Sequence, residues 1–204
     1  MSKPANNGVP TKHAKQYLKI ILVGDSGVGK TCLISSYFKQ TFDKHSIPTV
    51  APAYSCSDVK RKDGKTISLQ IWDTAGQERY HSVSKLFFRD SALAFICFEC
   101  GDETSTQGVP NWIKRVYDEV PQCQLFLVLT KTDLHEREKL EIYKQEALDK
   151  FKEYNIKGIF LTSALTREGV SELFTEAAEL FVPTEKTVTA RPSIAEEQRS
   201  KPCC

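Results

Sequence analysis

Short apolar runs alternate with amphipathic segments along most of the chain. Four runs rich in branched and aromatic residues predict buried strands: YLKIILV, ALAFICF, QLFLVL and GIFLTS. Apolar residues at helical spacing predict helices in KTCLISSYFK, near 79–89, around 108–119, from about 136 to 154, and in SELFTEAAELF. Two more strands, YSCSDVK and KTISLQIW, are joined by RKDG, whose Asp-Gly pair favours a hairpin.

This alternation predicts an α/β fold in one domain covering residues 17–182. Helices between parallel strands cover both faces of a sheet, and the hairpin adds one antiparallel strand at an edge. Pro52 fits an edge strand, because proline cannot donate to a central ladder. Residues 1–16 are polar and predict a flexible leader, and residues 183–204, with three prolines, predict a disordered tail.

Charge and hydropathy narrow the possible partners. The formal net charge of the 204-residue chain is +2, so no basic field favours nucleic acid as a partner. No apolar run approaches the roughly 18–20 residues that span a bilayer, and the N-terminus lacks a hydrophobic signal segment. We therefore expect the protein to begin in the cytosol.

A phosphate-binding motif follows the first predicted strand and opens the first predicted helix. GDSGVGKT matches G-x-x-x-x-G-K-[ST], in which backbone amides at a helix N-terminus surround phosphate oxygens. The lysine can reach the β- and γ-phosphates, and the threonine hydroxyl can ligate Mg²⁺. A chance match is the alternative, on the order of one in a hundred for this length. The candidate residues are Gly24, Asp25, Ser26, Gly27, Val28, Gly29, Lys30, Thr31 and Cys32.

A second motif, WDTAGQER at residues 72–79, ends another apolar strand. Asp73 stands where a carboxylate can hold Mg²⁺ through water. Gly76 leaves its amide free to meet a γ-phosphate, and Gln77 can orient a water for in-line attack. D-x-x-G alone could be an ordinary turn. Because a phosphate-binding motif precedes it in this chain, that alternative is weak.

Together GDSGVGKT, Thr49, WDTAGQERYHS, T-K-T-D and S-A-L resemble the Ras-like small GTPases over about residues 17–182. QERYHS and the terminal Cys-Cys are most similar to the Rab branch. The resemblance implies a six-stranded, mostly parallel sheet with five helices, and GTP or GDP with Mg²⁺ as ligands. Thr49 would then ligate Mg²⁺ with Thr31 and Asp73, and Phe42 would pack against the guanine ring. Residues 74–88 would form switch II, and Asp90 stands where Rab-like chains usually have glycine.

The segment LVLTKTDLHE is predicted to be a strand entering a guanine-binding loop. Asp133 can accept hydrogen bonds from guanine N1 and the 2-amino group, a donor pair that adenine lacks. The stem of Lys131 would lie under the base with its ammonium toward the phosphate loop. Ser163 and Ala164 would complete the site, and Leu165 is expected only to pack.

Thr130 stands where the family usually has asparagine, so one hydrogen bond should be lost, about 0.5–1.5 kcal/mol. Binding would weaken by roughly tenfold at most. The T-K-x-D and S-A-L motifs resemble the Rho branch, although this chain lacks that branch's insert. We therefore expect Thr130 to be a tolerated variant.

The resemblance implies a monomeric switch that hydrolyses GTP to GDP and phosphate. Lys30 would stabilise the transferring phosphoryl group and Gln77 would position the water; without an arginine in the loop, turnover should be slow. Exchange factors, GTPase-activating proteins and effectors would bind switches I and II.

The chain ends in Cys203 and Cys204, which match the dual-cysteine ending that carries two geranylgeranyl groups. Two lipids anchor stably where one is marginal. The resemblance thus implies contact with the prenylation machinery and a peripheral position on the cytosolic face of an intracellular membrane, in vesicle traffic.

Two alternatives remain at this point. The chain could hold GTP constitutively as a scaffold with little hydrolysis, although Gln77 argues against this. It could also be a P-loop kinase, although no arginine-bearing lid or acceptor pocket is evident in the sequence.

Overall fold

The computed structural model describes residues 16–39, 49, 52–74 and 87–180. Six strands lie within these ranges: β1 (Tyr17–Val23), β2 (Ala53–Lys60), β3 (Thr66–Asp73), β4 (Leu93–Glu99), β5 (Gln124–Thr130) and β6 (Ile156–Leu161). The α-helices of the same ranges are α1 (Lys30–Tyr37), α2 (Glu103–Glu119), α3 (Arg137–Phe151) and α4 (Val170–Leu180), and a 3₁₀ turn covers Thr132–Leu134.

The strands form one sheet in the order β2-β3-β1-β4-β5-β6. β2 pairs antiparallel with β3, and every other pairing is parallel. This confirms the predicted α/β sheet with a hairpin strand at one edge. Parallel pairing also brings the carboxyl ends of β1, β3, β4 and β5 to one side of the sheet, where ligands of open α/β sheets bind.

Each central strand is buried on both faces. Its successive side chains point to opposite faces of the sheet, so the core forms two layers, one on each face. Leu18, Ile20 and Leu22 of β1 pack with α1 and α4, including Phe174, on one face. Ile21 and Val23 pack with α2 and α3 on the other. Burying a side chain of this size contributes about 1.5–3 kcal/mol, so the two layers hold the strand ends in place.

Helix α2 begins at Glu103, five residues before the predicted start. The Asp102 carboxylate caps it by accepting from the Ser105 amide at 2.7 Å. Gly108 and Pro110 both lie inside this helix. The N-cap therefore outweighs two residues that usually disfavour a helix interior.

Four α-helices occur in the described ranges, against five expected from the resemblance. The helix predicted near 79–89 falls mostly outside the described residues, which resume at Phe87. The leader (apart from Gln16) and the tail 183–204 also lie outside them. Among the described helices, none has the length and apolar character needed to cross a bilayer.

Candidate nucleotide-binding site

The phosphate loop, residues 24–31, joins β1 to α1 at the carboxyl side of the sheet. Gly24 has φ +145°, and a Cβ there would lie 2.1 Å from the Cys97 carbonyl oxygen of β4. Gly29 caps α1 with φ +99°, without a side-chain cap and without an acidic residue in the first turn. The amides at this helix start are therefore available to an anion.

Lys30 lies inside the loop and is only 5% exposed. Its Nζ donates to the carbonyl oxygens of Gly24 at 2.7 Å and Asp25 at 2.8 Å. Burial lowers the pKa of Lys30, and nearby acidic groups, including Asp73 and Asp25, oppose that shift. The ammonium is thus held beside the backbone amides that would receive the phosphates.

Three oxygen-bearing side chains meet at the first turn of α1. Thr31 Oγ1 donates to Asp73 Oδ2 at 2.6 Å and lies 2.6 Å from Thr49 Oγ1. These residues come from α1, the segment before β2, and the end of β3. The structure therefore brings together the three residues predicted to hold a metal.

This oxygen set fits a magnesium ion. Asp73 is 3% exposed, and its Oδ1 has no hydrogen-bond partner among the described residues. Burial raises the pKa of Asp73, while hydrogen bonds from Thr31 and Thr49 and the charge of Lys30 act in the opposite direction. Mg²⁺ is usually bound by one or two carboxylates with hydroxyl, water and phosphate oxygens. A cation would satisfy the carboxylate oxygen left unpaired.

Thr130 ends β5 and faces the phosphate loop. Its hydroxyl is buried and donates to the Val28 carbonyl oxygen at 2.6 Å, with the Phe98 carbonyl oxygen at 3.1 Å. Because the hydroxyl carries one proton, the shorter contact takes it. Thr130 therefore connects the end of β5, where the predicted guanine-binding loop begins, to the phosphate loop by a hydrogen bond.

Asp133 and Ser163 lie together beyond β5 and β6. Ser163 Oγ donates to Asp133 Oδ1 at 2.5 Å and accepts from the Thr166 amide at 3.1 Å. The Thr132 amide donates to the Thr162 carbonyl oxygen at 3.3 Å, which joins the two loops. The Asp133 carboxylate is therefore oriented by a neighbouring hydroxyl before any base is bound.

One expectation for this end of the site was wrong. The Lys131 ammonium does not turn toward the phosphate loop; it donates to Glu99 Oε2 at 2.6 Å, at the end of β4. Lys131 has φ +56°, in the left-handed region. Leu165, which follows Ser163 and Ala164, is 46% exposed, and its packing role stays a prediction. Ala164 lies in a turn, half-buried.

Several predicted residues lie outside the described part of the chain. They are Phe42, Gly76, Gln77, Cys203 and Cys204, and their roles stay predictions.

Sequence reasoning missed two contacts with these loops. Trp112 of α2 donates from Nε1 to Asp25 Oδ1 at 2.8 Å. Glu99 pairs with Lys131, as described above. The two members of each pair lie far apart along the chain, so periodicity gave no signal. Trp72 does pack, against Tyr54, Phe87 and the Lys19 ammonium.

Comparison with known proteins agrees with this geometry. A profile described as the Ras family matches residues 19–182. The chain belongs to the Ras family of small GTPases. It is 34% identical over 173 residues to the Ras-related protein Rab-15 of Homo sapiens, covering 83% of this chain and 80% of the relative. It is 31% identical over 191 residues to the GTP-binding protein ypt5 of Schizosaccharomyces pombe, covering 93% and 90%.

A third relative of this Ras-family chain is the GTP-binding protein RHO4 of Saccharomyces cerevisiae. Identity is 32% over 194 residues, covering 91% of this chain and 65% of the relative. The Rab relatives support the resemblance to the Rab branch. The Rho-like interpretation of T-K-T-D and S-A-L stays a prediction.

Proposed function

We propose that this Ras-family GTPase is a molecular switch of membrane traffic that binds GTP with Mg²⁺, hydrolyses it slowly and recruits effectors to a membrane. The observation that carries the proposal is the meeting of Thr31, Thr49 and Asp73 beside the buried Lys30. Thr49 is 18 residues and Asp73 is 42 residues from Thr31 along the chain. Such convergence at a phosphate loop supports a bound metal–nucleotide complex.

Chemistry at this site is mainly positioning and charge stabilisation. The loop amides and the Lys30 ammonium hold the phosphates and stabilise negative charge on the transferring group. Thr31, Thr49 and Asp73 would hold Mg²⁺, which when bound neutralises charge on the phosphate oxygens. Gln77 orients the attacking water. Residues 24–31 contain no arginine, and an arginine supplied by a partner can add on the order of 10³–10⁵ in rate. Slow turnover by the isolated chain follows.

Guanine selectivity rests on the carboxylate at the other end of the site. Asp133, oriented by Ser163, accepts from the two adjacent donors of guanine. A site built on such pairing disfavours analogues that leave it unpaired, by up to about 10⁴–10⁵-fold. Adenine nucleotides would be rejected here.

Switching follows from the position of Thr49. Its hydroxyl lies 2.6 Å from the Thr31 hydroxyl, so Thr49 lies beside the residues that would hold Mg²⁺. With triphosphate bound, Thr49 and Gly76 would both contact the γ-phosphate region, and hydrolysis would release both segments. Exchange factors, activating proteins and effectors would distinguish the two states.

Membrane recruitment is proposed from the sequence of the tail. Cys203 and Cys204 would each carry a geranylgeranyl group, added by the prenylation machinery. The charges of the preceding tail nearly balance, so the lipids rather than a basic patch would supply the anchoring. The monomeric chain would then lie on the cytosolic face of an intracellular membrane.

The deciding experiment measures nucleotide identity and turnover with the full chain. The protein is purified without a tag, its bound nucleotide is identified by chromatography, and single-turnover release of phosphate from labelled GTP is followed. We expect bound GDP or GTP, slow phosphate release, and much slower release from Gln77→Leu.

Two results would contradict the proposal in different ways. Phosphate release equal in the wild type and Gln77→Leu would favour the scaffold that holds GTP. A protein that purifies empty and binds ATP as well as GTP would exclude the guanine-nucleotide function altogether.

A further inference from the structure

We propose that Trp112 of α2 is a positioning residue for the phosphate loop, acting through the side chain of Asp25. This inference rests on the proposed nucleotide binding and adds a residue to that site. Trp112 holds the Asp25 carboxylate on the surface of α2, which fixes the start of the loop. Losing that hydrogen bond should speed nucleotide release.

The contact is short, buried and specific. Trp112 is 7% exposed, and its Nε1 donates to Asp25 Oδ1 at 2.8 Å across 87 residues of sequence. The Arg115 guanidinium lies over the Trp112 ring at 4.6 Å from its centroid. A hydrogen bond to a charged acceptor is stronger than one between neutral groups, because the acceptor carries a full charge.

Gly108, one turn before Trp112, makes room for this contact. A Cβ at residue 108 would lie 2.7 Å from Asp25 Oδ2. Glycine inside a helix costs about 0.5–1 kcal/mol relative to alanine. At this position its missing side chain is what allows the carboxylate to rest against α2.

The position of Asp25 matters for two reasons. Its carbonyl oxygen accepts from Lys30 Nζ at 2.8 Å, so a shift of Asp25 also shifts a support of the catalytic ammonium. Its carboxylate would repel phosphate if it turned into the loop, because like charges repel strongly where water is excluded. The indole N–H keeps this charge on the side of α2.

The phosphate loop is thereby fixed by three neighbouring elements. Gly24 lies against the Cys97 carbonyl of β4, Asp25 is held by Trp112 of α2, and the Val28 carbonyl accepts from Thr130 of β5. A loop that is already held in its binding shape loses less entropy when phosphate binds. Each of these three contacts should therefore slow nucleotide release.

The chain supplies a matched control for the indole N–H. It has two tryptophans, and the Trp72 Nε1 is buried with no hydrogen-bond partner among the described residues. Trp72→Phe removes the same donor from a ring that also packs against aromatic neighbours, but it breaks no described hydrogen bond. Trp112→Phe differs by losing the bond to Asp25.

The experiment measures release of a fluorescent GDP analogue from the full-length protein in excess Mg²⁺, together with the melting temperature. We expect Trp112→Phe to release GDP about tenfold faster, which corresponds to about 1.4 kcal/mol. Trp72→Phe should release GDP at close to the wild-type rate. Asp25→Asn keeps an acceptor for the indole and should restore most of the slow release that Asp25→Ala loses.

The double variant Trp112→Phe/Asp25→Ala should release GDP no faster than the faster single variant, since both changes break one bond. Equal release by Trp112→Phe, Trp72→Phe and the wild type would overturn the inference while leaving nucleotide binding intact. Additive effects in the double variant would also overturn it. If Trp112→Phe does not fold, the comparison of Asp25→Ala with Asp25→Asn decides, and equal release by those two refutes the role. A wild-type protein that binds no GDP refutes the proposed function instead.

Discussion

Replacing Thr130 by valine removes one hydroxyl and preserves the shape of the side chain. The Thr130 hydroxyl donates to the Val28 carbonyl oxygen at 2.6 Å, and Thr130 is 4% exposed. Valine cannot donate, so the Val28 carbonyl loses this donor in a place that water does not easily reach. Threonine and valine are not equivalent in a core for this reason.

The size of the effect follows from the burial of the acceptor. Leaving a buried acceptor unsatisfied costs about 1–3 kcal/mol. In a domain of this size, 1 kcal/mol shifts the melting temperature by about 2–4 °C. Thr130→Val should therefore lower the melting temperature by roughly 2–12 °C. The bond also fixes the phosphate loop, so GDP release should become faster, by up to about tenfold.

Thr130→Ser is the matched control, because it keeps the hydroxyl and loses only the methyl group. Thermal unfolding and GDP release are measured for both variants in the same buffer. We expect Thr130→Ser to stay near the wild type in GDP release and Thr130→Val to differ in both measurements. Equal losses in the two variants would show that methyl packing, not the hydrogen bond to Val28, is what matters.

Three further changes test other parts of the site. Asp133→Asn should weaken GTP binding and improve binding of xanthosine triphosphate, because xanthine has a carbonyl where guanine has its amino group. If competition binding shows an unchanged preference for GTP over xanthosine triphosphate, Asp133 does not recognise the base. Gly24→Ala should abolish or severely weaken folding and nucleotide binding, since its Cβ would lie 2.1 Å from the Cys97 carbonyl oxygen. Circular dichroism with a binding assay would check this. Gly27→Ala is the control, because it also has a positive φ, +82°, and so shares the backbone strain, but its Cβ would meet nothing within 4 Å. Asp73→Asn should weaken the dependence of GDP release on Mg²⁺. It should not lower the melting temperature of the nucleotide-free protein, because burial raises the pKa of Asp73 and so disfavours its charge. A Mg²⁺ titration equal to that of the wild type would exclude Asp73 as a ligand.

Local patterns in the sequence were sufficient to predict most of the strands and helices and the antiparallel edge of the sheet. β1 alternates between two core layers, and the Asp-Gly turn between β2 and β3 forms the predicted hairpin. The phosphate motif lies between a strand and a helix, as its chemistry requires. These features depend on residues close together in the chain, so periodicity and turn chemistry detect them.

Contacts between distant elements were not predictable in the same way. The bonds from Trp112 to Asp25 and from Lys131 to Glu99 depend on how α2, β4 and β5 pack, which leaves no periodic signal. The start of α2 was missed because the Asp102 cap lies before a glycine and a proline that usually disfavour helix interiors. Asp90 has φ +60°, which explains why glycine is usual there and why the aspartate was unexpected.

The hydrogen bonds among Thr31, Thr49 and Asp73 affect how a bound cation could act on the switch. Thr31 has one hydroxyl proton, and it is donated to Asp73 Oδ2. Thr49 Oγ1 lies 2.6 Å from Thr31 Oγ1 and also hydrogen-bonds to Asp73, so both hydroxyls meet at the carboxylate. A hydroxyl oxygen has two lone pairs, so each threonine can ligate a cation through one of them while its proton stays on an acceptor. Metal ligation would therefore add to these hydrogen bonds, and the charge of Asp73 would connect the position of Thr49 to the occupancy of the site.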